Sequence, residues 1–87
     1  MSSGLFNRAG VRYEVACEML GAIISHHAEV LGLENSKAIA DPTVVVAAQT
    51  AISEINQLRD GLDPKDSAAV ESLIAKYRPL ARQLNKA

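Results

Sequence analysis

Two aspartate–proline pairs, Asp41-Pro42 and Asp63-Pro64, punctuate a hydrophobic period that is helical almost from end to end. Proline is well placed at the first position of a helix, where its missing N–H would have no intrahelical acceptor, and aspartate just before it is a favoured N-cap. Gly32 closes the first periodic stretch, residues 33–41 read as a loop, and Gly61 closes the second stretch. Asp66 falls where first-turn N–H groups favour an acid. The spacing therefore predicts three helices, at about 8–31, 42–60 and 64–85, in a single helical domain over 1–87. Fourteen alanines and nine leucines against 3% aromatic residues also favour helix over sheet. Pro79 lies inside the third segment, where it removes a hydrogen bond to Ala75 and disfavours helical geometry at Arg78. A kink is expected there, with the last turn directed away from the bundle.

The three segments differ in how much apolar surface they carry. In the first, Val11, Val15, Met19, Ala22, Ile23 and Val30 share a side, and Ala16, Leu20, Ile24 and Leu31 widen it to an arc of roughly 220° at about 100° per residue. Glu14, Glu18, Ser25 and Glu29 take the remainder. In the second, Val44, Ala48, Ala51, Ile55, Leu58 and Leu62 form a narrow seam stepping by fours and threes. In the third, Val70, Leu73, Ile74, Tyr77, Ala81 and Leu84 repeat that rhythm.

A helix packed on one neighbour needs an apolar stripe of about 100°. A chain of 87 residues holds about 4–13 kcal/mol of net stability, a small margin for leaving a broad apolar arc in water. The sequence thus predicts an all-α, small three-helix bundle that self-associates through its long first helix, as a homodimer. The expected interface comprises Val15, Met19, Leu20, Ile23, Ile24, His27 and Leu31, with Val45 and Val46 lying off the second seam.

Chemistry-bearing patterns are sparse. His26 and His27 diverge by about 100° on a helix and cannot converge on one ion. Glu29 lies near His26 in the helical register, but zinc takes three or four ligands and no further histidine exists. No metal or cofactor is expected. At a subunit contact the two histidines would oppose association on protonation. Cys17, flanked in register by Glu14 and Glu18, lacks the basic surroundings of a reactive thiol. No nucleophile elbow and no glycine cluster for phosphate is present, so an enzyme is not expected.

Charge is nearly balanced overall, with nine Lys and Arg against ten Asp and Glu, unlike the basic surplus of most nucleic-acid binders. Yet Lys76, Arg78, Arg82 and Lys86 form an acid-free C-terminal stretch, while residues 1–75 carry five positive and ten negative charges. These four are candidates for contacting phosphate or an acidic partner, although no aromatic interleaving accompanies them. The N-terminus has no basic region leading into an apolar run, and with a lone Cys17 the expected compartment is the cytoplasm. No apolar run approaches the length of a membrane span. The expected function is that of a non-catalytic interaction protein (regulator, adaptor or inhibitor) whose protein partner the sequence does not name. The alternative is a nucleic-acid-binding dimer using the basic C-terminal helix.

Overall fold

The structure is a computed structural model that describes residues 8–84. It consists of α1 (Arg8–Asn35), α2 (Pro42–Gly61) and α3 (Ser67–Leu84). Both α2 and α3 pack on α1, and within the described residues the backbones of α2 and α3 do not pack on one another. Helix α1 is therefore the central element of an open three-helix bundle. It runs antiparallel to α2, whose early residues Val44 and Ala48 lie beside His26 and Val30. It runs parallel to α3, whose first turns pack at Ala16 and whose last turns pack at Leu20 and Ile23.

The core follows from that arrangement. Leu20, Ile23, Ile55 and Ala81 form one buried cluster, with Ile24, Leu73, Tyr77 and Leu84 packed against it. Ala16, Val70 and Ile74 form a second, joined by Tyr13, Val15, Met19, Leu62 and Leu73. Alanine at 16, 48 and 81 lets the axes approach closely, while the branched side chains fill the space between them.

Helix boundaries depart from the sequence reading at two places. Helix α1 does not stop at Gly32. It continues to Asn35, because Gly32 does not take the positive φ of a glycine helix stop. The end is made instead by the Ser36 N–H donating to the carbonyls of Gly32 and Leu33, at 3.1 and 3.3 Å. Helix α3 starts at Ser67 rather than Pro64. The Asp63 carboxylate accepts from the Lys65 N–H at 2.9 Å, and the Asp66 N–H donates to the Asp63 carbonyl at 3.0 Å, so Pro64 occupies a turn. Asp66 is the true cap, its carboxylate accepting from the Ala69 N–H at 3.1 Å. At α2, Asp41 caps through Thr43 N–H at 2.9 Å, with Pro42 in the first turn.

Helix α3 passes through Pro79 to Leu84. Its last turn does not leave the bundle as expected, because Ala81 is buried and Leu84 packs on the Leu20 cluster. Apolar contact with α1 outweighs the one backbone bond that Pro79 removes.

Candidate functional site: the groove between α2 and α3

Because α2 and α3 straddle α1 without meeting, an open groove of about 520 Å³ remains between them. Ile23 and His27 of α1 lie along its floor. Ala51, Glu54, Ile55, Gln57 and Leu58 form the α2 wall, and Tyr77 and Leu80 the α3 wall. Leu58 and Leu80 are each 38% exposed. Glu54 and Leu58 are four residues apart, as are Lys76 and Leu80, so each pair shares one side of its helix. The ammonium of Lys76 lies 5.4 Å from the centre of the Tyr77 ring, at the edge of the α3 wall. Each rim therefore carries a leucine one turn beyond a charged residue, acidic on α2 and basic on α3. Among the described residues neither Glu54 nor Lys76 takes part in an ion pair.

His27 brings a titratable group to the groove. Its pKa lies below the ordinary histidine value, first because burial disfavours the charged ring and second because His26 adds like charge. The two rings stand edge to face with centres 5.3 Å apart. They also line a shallow gap against the first turns of α2, with Val30, Thr43, Val44, Ala47 and Ala48.

The expected interface residues fall into two groups. Leu20 and Ile23 are 0% and 1% exposed. They are core residues of the single chain rather than interface, because Ile55 of α2 and Ala81 of α3 cover this part of the α1 arc. Val15, Met19, Ile24, Leu31 and Val45 are half-buried, as is His27. Val46 is 59% exposed, beside Pro42, Thr43 and Ala47. Of the basic residues, Lys76 and Arg82 are exposed and Arg78 is half-buried. Lys86 lies outside the described residues. Arg78 and Arg82, one turn apart, share a side of α3 that Lys76 does not, so the basic stretch is divided between two sides of the helix.

Of the groove residues the sequence marks only Ile23 and His27 as part of a site; the exposed rim residues Glu54, Leu58 and Leu80, and Tyr77 beside them, are among those it does not mark as one. Leu58 and Tyr77 scan as seam positions, and Leu80 hides behind Pro79. The signal that marks them is the charge–leucine pair at i, i+4, repeated with opposite sign on two helices.

Other polar groups are occupied in holding the bundle. Glu34 is buried, accepting from the Asp41 N–H and from the Lys37 ammonium, each at 2.9 Å. Those bonds, the backbone one foremost, hold its pKa below the usual carboxylate value. Arg12 forms a two-pronged pair with Glu71 at 2.7 and 2.9 Å, tying α1 to the start of α3. The neighbouring Cys17 raises the Tyr13 phenol pKa. Among the described residues no three His, Cys, Asp or Glu side chains gather as a metal site, and no helix is long and apolar enough to cross a membrane. No family model matches this sequence, and neither a curated protein nor a solved structure shows significant similarity to it.

Proposed function

We propose that this protein is a non-catalytic helical interaction protein, of regulator, adaptor or inhibitor type, acting through self-association and an apolar protein-binding surface. The observation that carries this reading is the open groove, where Leu58, Tyr77 and Leu80 stand over a floor of Ile23 and His27 with no fourth helix among the described residues to cover them. An amphipathic helix laid into such a groove buries anchors spaced at i, i+3, i+4 and i+7. A lone Cys17 suits a reducing cytoplasm, where we place the protein. Sedimentation equilibrium at micromolar concentration tests the self-association half, a homodimer being expected and a single 9.3 kDa species being the contrary result. Affinity capture with the wild-type chain, repeated with a Leu58→Glu variant, tests the binding surface. A protein retained by the first and lost by the second supports it, and equal retention by both removes the groove from the reading.

A second reading rests on Arg78 and Arg82, which share a side of α3 and have no ion pair among the described residues. Two copies would double that charge for phosphate contact. A DNA mobility shift at low salt, abolished by Arg78→Glu with Arg82→Glu, supports this alternative, and no shift sets it aside.

A further inference from the structure

The self-association reading leaves open which surface pairs, and the groove rims answer that. We propose that two copies of this chain pair groove to groove about a two-fold axis running along the groove, so that α2 of one protomer lies antiparallel on α3 of its partner. This inference rests on the proposed self-association and adds its surface and its geometry.

Helix α2 runs antiparallel to α1 and α3 runs parallel to it, so the two walls run in opposite directions. Glu54 and Leu80 line the same groove from opposite walls. Their neighbours Ile55 and Ala81 pack in one cluster with Leu20 and Ile23, which sets Glu54 and Leu80 at about one level along α1. Rotation about an axis along the groove keeps every residue at its level while exchanging the walls. It sets Glu54 of one protomer beside the partner's Leu80, within a helical turn of the partner's Lys76, and Leu58 against the partner's α3 rim. By symmetry the same contacts form a second time.

Rotation about an axis across the groove is the competing arrangement. It stacks α3 on α3, bringing Lys76 towards the partner's Lys76, and stacks α2 on α2, bringing Glu54 towards the partner's Glu54. Like charges at a contact suppress that geometry, while opposite charges select the first. Leu58 and Leu80, exposed on the rims of a single chain, are covered in the first arrangement, and each groove receives a leucine from the other protomer. The two rim charges, which have no ion pair among the described residues, then acquire partners.

The test is sedimentation equilibrium of the full chain at neutral pH, with far-ultraviolet circular dichroism and thermal unfolding confirming that each variant is folded. Wild type is expected as a dimer. Leu80→Glu is expected as a monomer, since it places a carboxylate beside the partner's Glu54. Glu54→Lys and Lys76→Glu sit on exposed positions and leave folding intact. Each is expected to weaken the dimer about tenfold, because the symmetric contact counts every rim pair twice. The double variant Glu54→Lys with Lys76→Glu restores opposite charge and is expected to recover most of the affinity. A dimer insensitive to these variants, or a double variant no tighter than either single one, overturns this pairing while leaving self-association standing. A monomeric wild type overturns both.

Discussion

Glu34 accepts hydrogen bonds from two groups beyond the end of its own helix, and its ionisation is thereby part of the fold. The folded carboxyl titrates below its ordinary value, so the unfolded chain takes up this proton first as acid is added. The stabilisation is complete above the ordinary carboxylate range and is lost as pH falls through the depressed folded value. Thermal unfolding followed across that range should show the loss, and Glu34→Gln should lower the midpoint at neutral pH while flattening the acid slope. Glycine offers a test of opposite sign. Gly21 and Gly32 lie inside α1 without positive φ, and a methyl group added at either meets nothing within 4 Å. Alanine at each is expected to stabilise by about 0.4–1 kcal/mol in urea titrations, because it reduces the freedom of the unfolded chain. Had Gly32 been a left-handed helix stop, the same change would destabilise.

At the scale of the element, the start of α3 is decided by competition between two aspartates. Asp63 turns the chain and Asp66 caps the helix, through bonds to Lys65 N–H and Ala69 N–H. Asp66→Ala is expected to cost about 0.5–2 kcal/mol, and Asp63→Ala less, since it leaves the helix cap in place. Chemical denaturation of the two variants checks the order, and the reverse order would restore Asp63 as the cap. The Asp-Pro pair alone does not separate these roles. The same two residues open a helix at Asp41-Pro42, whereas at Asp63-Pro64 a second acceptor three residues later claims the first-turn N–H groups. Local spacing offers both aspartates, and the difference in bonding appears only when the backbone path is known.

Across the whole molecule, burial separates residues that look alike along α1 and α3. Leu20 lies at the centre of the bundle, and Leu20→Ala is expected to cost about 2–5 kcal/mol through lost burial and the cavity left behind. Leu80→Ala, at a rim, should cost the single chain far less, with urea unfolding of both variants as the comparison. His27 supplies a second pH dependence, in a window above that of Glu34. Its folded pKa is depressed by burial and by His26, so the unfolded chain protonates first and stability falls as pH drops from the ordinary histidine value. The groups sharing its groove are Glu54 from α2 and Tyr77 from α3. His27→Gln should remove this slope while leaving the lower one due to Glu34, as a pH series of unfolding midpoints would record.

Three helices and most of their inward faces follow from the sequence itself. The periods of Val44 to Leu62 and of Val70 to Leu84 are local properties of the chain, as is the cap at Asp41. Buried Ala48, Ile55, Val70, Ile74 and Ala81 all lie on the seams those periods define. What covers the wide face of α1 is a non-local matter. The arc that includes Leu20 and Ile23 suits a second copy or two helices of the same chain equally well, since hydrophobic burial carries no label for the chain that supplies it. Tertiary packing placed α2 and α3 on that arc and kept them apart. It buried Leu20 and Ile23 and left Leu58 and Leu80 at the rims, while Val11 and Leu33 of α1 and Val46 of α2 stay still more exposed, because two helices on one arc cover its centre and not its ends.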